Sequence, residues 1–221
     1  MTKIKFCGMT RASDAAVASE LGASHVGVIF AESPRRVTIE QAAEVFAAAT
    51  GARRVGVFGH AGATPGEIIR HARDLRLDVL QLHGSFIAAD IVRLRDDFDG
   101  ELWPVIPVDE NATELPSGSD VLADVSDALL LDTSVRGRSG GTGKTFDWTA
   151  AADAVRKASA RIPIVLAGGL NAGNVGNAIR ALHPAIVDVS SGIECAPGIK
   201  DPDLMRAFAD AVVSASIVGV D

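Results

Sequence analysis

Eight short apolar runs recur along the chain at nearly even spacing, at residues 4–7, 25–30, 54–58, 78–83, 102–106, 128–132, 162–167 and 185–190. Val, Ile and Leu are their commonest residues, which suits extended backbone buried on both faces. The segments between them, such as 39–50, 86–98 and 148–160, carry apolar residues at a helical period. Alternation of strand and helix makes the strands run parallel, because each crossover helix returns the chain to the same end of the sheet. Eight such units within 221 residues fit a closed barrel better than an open sheet. The expected architecture is α/β, a single (β/α)8 TIM barrel with a parallel eight-stranded core, forming one catalytic domain over residues 1–221.

Helix starts support this register. Thr38-Ile-Glu-Gln41 and Thr64-Pro-Gly-Glu67 have the spacing of capping boxes, the second with Pro65 in the first helical position. Asp201 before Pro202 repeats the pattern for the final helix, and Asp147 before Trp148 for an earlier one. These side chains are expected to satisfy orphaned amides and to carry no chemistry. The polar stretch 110–120 is the expected irregular segment.

Composition narrows the partners. A formal charge of -7 leaves no surplus of Lys and Arg for nucleic acid or an anionic membrane. No apolar stretch approaches the roughly 18 residues of a membrane helix. The expectation is a cytoplasmic protein with no nucleic-acid or membrane partner, in which an anionic ligand is held by local donors. Cys7 and Cys195 are too few for a disulfide framework, and no bridge between them is expected in a reducing compartment.

In such barrels the active site lies at the carboxyl ends of the strands. Those ends hold Cys7, His83, Asp132, Gly168-Gly169 and Ser190-Ser191-Gly192. A glycine pair after the seventh strand lets backbone amides approach an anion, with Asn171 expected to open the helix behind it. Ser190, Ser191 and Gly192 add donors on the next strand, which makes the two turns together a phosphate grip. Across the barrel mouth, Cys7 can act as a base once its thiolate is favoured. Asp132, after three leucines, can act as an acid once burial raises its pKa. That pair suits proton transfer within a sugar phosphate.

The motifs Lys5-Phe-Cys-Gly8, Ser33-Pro-Arg35, Leu80-Gln-Leu-His-Gly84, Leu131-Asp-Thr133, Gly140-Gly-Thr-Gly-Lys-Thr-Phe-Asp-Trp148, Ala167-Gly-Gly-Leu-Asn171 and Asp188-Val-Ser-Ser-Gly192 occur in that order. With them the chain resembles the phosphoribosylanthranilate isomerases of tryptophan biosynthesis, from Lys3 to Asp201. The resemblance implies an Amadori rearrangement of N-(5-phosphoribosyl)anthranilate to the 1-deoxyribulose 5-phosphate, without metal or organic cofactor. It implies Asp132 as the acid on the ring oxygen and Cys7 as the base at C2 of the sugar. It places phosphate on Gly168, Gly169, Ser190, Ser191 and Gly192, and an arginine from the loop after the second strand on the anthranilate carboxylate.

Two arginines compete for that last role. Counting back from the cap Thr38 selects Arg35, counting forward from Gly27 selects Arg36, and Arg35 is preferred because a loop loses a residue more easily than a capped helix shifts. His83 is expected to line the pocket without exchanging protons. The loop 140–145 is expected to be a mobile substrate loop; its Gly143-Lys144-Thr145 lacks the glycine spacing of a nucleotide-binding loop. Lys5 and Asp188 lie two residues below Cys7 and Ser190 on strands that closure makes neighbours, so a buried ion pair is expected, with Lys5 biasing Cys7 toward thiolate.

Two rival readings are another phosphate-binding barrel enzyme, a lyase or synthase, and a silent ligand-binding barrel. No strand ends in the lysine that a Schiff-base lyase needs, and a binder has no use for both Cys7 and Asp132. A monomer is the expected state.

Overall fold

The computed structural model describes residues 1–60, 62–135, 138–139 and 145–217. Among them the barrel is built from β1 (Lys3–Phe6), α1 (Ala12–Glu20), β2 (His25–Ile29), α2 (Ile39–Ala48), β3 (Arg53–Gly59), α3 (Pro65–Leu75), β4 (Val79–His83) and α4 (Ala88–Arg95). It continues through β5 (Glu101–Asp109), α5 (Ser119–Ala123), β6 (Leu129–Val135), α6 (Trp148–Ser159), β7 (Ile164–Leu166), α7 (Val175–Leu182), β8 (Ile186–Val189) and α8 (Pro202–Ile217). All neighbouring pairs among these eight strands are parallel, and β1 pairs with both β2 and β8 while β5 pairs with β6, so the sheet closes. β5 and β6 outrun their apolar cores because their pairing continues to Asp109 opposite Ser134. No helix among the described residues is long and apolar enough to cross a membrane.

The alternation of side chains divides the core in two. Ile4, Phe6, Leu80, Leu82, Leu129, Leu131, Val187 and Val189 face outward and pack beneath the helices. Val55, Val79, Trp103, Val105, Leu130, Val165 and Ile186 fill the barrel interior. The inward positions left over on β1, β4, β6 and β8 carry Lys5, Cys7, Gln81, Asp132 and Asp188, all buried. A barrel whose upper interior is polar must satisfy those groups internally or leave them to a ligand.

Lys5 and Asp188 satisfy each other. They are register partners on β1 and β8, and the fully buried Lys5 Nζ donates to Asp188 Oδ1 at 2.8 Å. The expected ion pair is present. Both capping boxes form as well: Thr38 Oγ1 accepts from the Gln41 amide and Thr64 Oγ1 from the Glu67 amide, each reciprocated by the Gln41 or Glu67 side chain. Asp147 and Asp201 cap their helices through bonds to Thr149 and Ala150, and to Asp203 and Leu204.

One local expectation is corrected. Asn171 does not open a helix; its Oδ1 accepts from the Gly173 amide, and α7 begins only at Val175. Five residues, Leu170 to Asn174, therefore separate the Gly168-Gly169 pair from the helix, which removes the helix dipole from direct contact with an anion at those glycines.

Removing one member of a buried ion pair leaves an uncompensated charge, whereas removing both need not destabilise. Asp188→Ala is expected to lower folding stability by about 3–5 kcal/mol, and Lys5→Met with Asp188→Leu by clearly less. Urea denaturation of the single and double variants measures the difference; a double-variant loss equal to the sum of the two single losses would show that the pair is not coupled.

Candidate active site

The carboxyl ends of the strands open into a cavity of about 550 Å³. Cys7 from β1, Gln81 and His83 from β4, Asp132 from β6, Gly168 and Gly169 after β7, and Ser190 and Ser191 after β8 all line it, with Arg35 from the loop after β2. Gly192 does not line it. Its ideal Cβ would sit 2.0 Å from the Leu170 carbonyl oxygen, so Gly192 is the point where the two donor-rich turns touch.

Each catalytic candidate sits in a space cleared by glycine. Gly27 on β2 lies beside β1, where a Cβ would come within 3.1 Å of Cys7 Sγ and 3.3 Å of Lys5 Nζ. Gly168 has φ +88°, and a Cβ there would meet the Thr133 amide nitrogen at 2.5 Å and Asp132 Oδ1 at 2.8 Å. Gly8, with φ +69°, lets the Arg35 stem and Ser190 Oγ close over the strand end beside Cys7. These glycines admit the approach of protein groups, which is a different reason for glycine from the approach of phosphate.

Burial dominates the electrostatics. It pushes the Asp132 carboxyl up to about 7, with the Asp188 charge adding to the effect, while a Thr133 backbone hydrogen bond and Lys5 oppose it. Asp132 Oδ1 has no hydrogen-bond partner. Burial also pushes the Cys7 thiol up from its ordinary value, and here the Lys5 charge pulls the other way without prevailing. The expected bias from Lys5 toward thiolate is present in sign but outweighed by burial. Burial holds His83 below its ordinary value, so its ring is neutral at pH 7.

The rim carries a second charge cluster that the sequence did not announce. After β8 and a single turn of 3-10 helix at Ser191–Ile193, a short hairpin pairs Glu194–Ala196 with Ile199–Lys200. Glu194 accepts from Arg35 Nε at 2.8 Å and Nη2 at 2.7 Å, and from the buried Lys200 Nζ at 2.8 Å. Lys200 Nζ also donates to the Ser190 carbonyl at 3.1 Å. Burial alone would push Glu194 up, but its bonds to Arg35 and Lys200 prevail and hold it below its ordinary value. Arg35 is thus fixed by its Nε/Nη2 edge, with Nη1 left over, whereas Arg36 is exposed and lines a different hollow beside Phe58 and His71. Glu194 and Lys200 lie in the segment that joins β8 to α8, where charged residues ordinarily read as solvated surface.

The phosphate-grip turns offer free donors. Among the described residues, the amides of Gly169 and Leu170 have no partner, while the Gly169 carbonyl is held by Asn174 Nδ2 at 2.9 Å. Ser190 and Ser191 line the adjacent part of the wall, after the neighbouring strand. The loop 140–145 falls almost entirely outside the described residues. Cys7 and Cys195 are both free thiols.

The family model for N-(5'-phosphoribosyl)anthranilate (PRA) isomerase matches residues 4–211. The N-(5'-phosphoribosyl)anthranilate isomerase of Haloferax volcanii is 42% identical, the match covering 97% of this chain and 95% of that protein. Among solved structures, the phosphoribosyl anthranilate isomerase of Thermotoga maritima superimposes with a TM-score of 0.83 at 32% identity, covering 97% of this chain and 100% of that one. A second isomerase structure, in complex with reduced 1-(o-carboxyphenylamino)-1-deoxyribulose 5-phosphate, has a TM-score of 0.79 at 29% identity with the same coverage.

Asp132 has a consequence for stability that can be signed. A carboxyl raised from 3.8 to about 7 on folding holds its proton more tightly in the native state. Its stabilising contribution is complete below about pH 4 and is lost as pH rises through 7. Asp132→Asn, neutral at every pH, is expected to raise stability at pH 8 by a few kcal/mol and to change it little at pH 4. Denaturant melts at the two pH values test this; an equal effect at both would show that Asp132 ionises normally.

Proposed function

The chain belongs to the N-(5'-phosphoribosyl)anthranilate isomerase family of tryptophan biosynthesis, and on that premise we propose how its own residues carry the rearrangement. Asp132 donates its proton to the furanose ring oxygen. The C1–O bond breaks as the nitrogen lone pair forms the C1–N double bond of a protonated Schiff base. Cys7, as thiolate, removes the proton from C2, and the released electron pair forms the C1–C2 double bond while neutralising the nitrogen. The enol-amine then tautomerises to the ketone. One observation carries this reading: a carboxyl kept protonated to about pH 7 and a thiol at the carboxyl end of another strand line one cavity. Each positioned proton transfer contributes roughly 10²–10⁴-fold.

The two ends of the substrate find separate anchors. Phosphate sits against the unpartnered amides of Gly169 and Leu170 and the hydroxyls of Ser190 and Ser191. Gly168 and Gly192 shape those turns. The anthranilate carboxylate meets the free Nη1 side of Arg35, which Glu194 holds in place. His83, neutral, lines the wall between them. The monomer is the working unit in this reading, since one chain supplies a complete cavity, and residues 1–221 act as one cytoplasmic catalytic domain with no cofactor.

The order of the two pKa values has a kinetic consequence. Asp132 titrates near 7 and Cys7 above its ordinary 9.0, so the productive form, acid protonated and thiol ionised, is the minority arrangement of a single shared proton. Under these values kcat/KM should rise with pH up to about 7, stay level, and fall only above about 9. A decline between pH 7 and 8 would place the thiol below the carboxyl and overturn the assignment. In a fluorescence assay that follows anthranilate-substrate turnover, Cys7→Ala and Asp132→Asn are each expected to lose at least about 10³-fold in kcat while keeping a cooperative melt. Near-normal rates in either variant sink the mechanism. Arg35→Ala should raise KM by roughly 10- to 100-fold, and Arg36→Ala should leave it within about twofold, because only Arg35 reaches the cavity.

A further inference from the structure

β4 delivers one side chain to the cavity that the chemistry above does not use. Gln81 stands inward between its register partners, Val57 of β3 and Trp103 of β5, while Leu80 and Leu82 on either side face the outer core. It is 5% exposed and lines the cavity together with Cys7, His83 and Asp132. Its Oε1 is sealed from solvent and has no hydrogen-bond partner. Four buried side-chain polar atoms among the described residues lack a partner, on His25, Gln81, Asp132 and Trp148. Only those of Gln81 and Asp132 belong to the cavity wall. The Asp132 oxygen is accounted for by the proton that it carries and gives up. The Gln81 carboxamide is left without an internal purpose, and a buried amide lacking a partner destabilises the fold that retains it.

A group entering the cavity can supply that partner once the amide turns about its last torsion, and the carboxamide restricts its kind. It cannot ionise, so it reads hydrogen-bonding pattern and not charge. The charged ends of the substrate already have anchors, phosphate at the Gly169 and Ser190 turns and carboxylate at Arg35. Between them lie the hydroxyl-bearing carbons of the sugar. A hydroxyl both donates and accepts, so it can pair with either end of a carboxamide that turns about its last torsion.

We infer that Gln81 is a substrate-orienting residue, hydrogen-bonding a hydroxyl of the sugar chain and thereby holding the C2–H bond toward Cys7. The inference rests on the placement of the reaction in this cavity. A hydroxyl-reading amide at this point makes the enzyme selective for a polyhydroxy chain between the two anions, a distinction that neither anchor can make.

The near-isosteric variant Gln81→Met removes hydrogen bonding and keeps volume. Three measurements on the full chain decide the matter: ligand-free melting temperature, steady-state kinetics, and calorimetric titration with reduced 1-(o-carboxyphenylamino)-1-deoxyribulose 5-phosphate. The expected result is an unchanged or higher melting temperature, with kcat/KM and analogue affinity both lower by roughly 10- to 100-fold. Gln81→Leu should behave alike. Variants that bind the analogue as wild type does and keep kcat/KM within about threefold reject the role of Gln81 while leaving the site intact. A melting temperature that falls in step with activity also rejects it, since that marks a structural amide. If the wild-type protein itself does not bind the analogue, the cavity assignment fails and this inference falls with it.

Discussion

Between the first and last strands of the barrel, a lysine with no exposure to solvent holds an aspartate across the sheet at 2.8 Å. In a low-dielectric interior the pair is both a closure device and a fixed dipole. Its two ends act on different groups. At Cys7 the Lys5 charge outweighs that of Asp188, and at Asp132 the Asp188 charge outweighs that of Lys5. One buried pair thus presses the thiol toward ionisation and the carboxyl toward protonation, the directions a base and an acid need. Gly27 leaves room for this, since a Cβ there would crowd both Cys7 Sγ and Lys5 Nζ.

The pair does not act alone. Burial is the largest influence on both groups, and for Cys7 it runs against the lysine. The site is consequently tuned by how dry it is, more than by which charges surround it. The same dryness explains why its residues sit on strand ends: the rigid barrel supplies the walls, and the loops supply only anchors.

Much of this was legible in the residues themselves. Alternating apolar runs and helical periods specify a parallel closed sheet, and period-two alternation assigns Lys5, Cys7, Asp132 and Asp188 to one interior. Caps at Thr38, Thr64, Asp147 and Asp201 were readable because they are local, decided within four residues. What stayed hidden depends on distant chain meeting in space. Glu194 and Lys200 read as solvated loop charges until the hairpin after β8 folds back onto Arg35. Asn171 carries the signature of a helix start, but its side chain is spent on a turn, and the helix waits for Val175. Gly168 and Gly192 were read as anion-approach glycines; the crowding at each comes first from Asp132, Thr133 and Leu170. The unpaired burial of Gln81 Oε1 has no counterpart in sequence, because it is a property of the assembled interior.

The hairpin also bears on how this fold can be rebuilt. Arg35 owes its pose to a carboxylate 159 positions away along the chain. Transplanting the loop after β2 onto another barrel would carry the guanidinium without the clamp that aims it, and a free arginine stem samples many rotamers. Any graft of this recognition element is therefore a two-segment operation, joining an early loop to a late one. Chimeras that cut the barrel into halves separate the two, and they recover the pose only when both halves descend from parents sharing the same clamp.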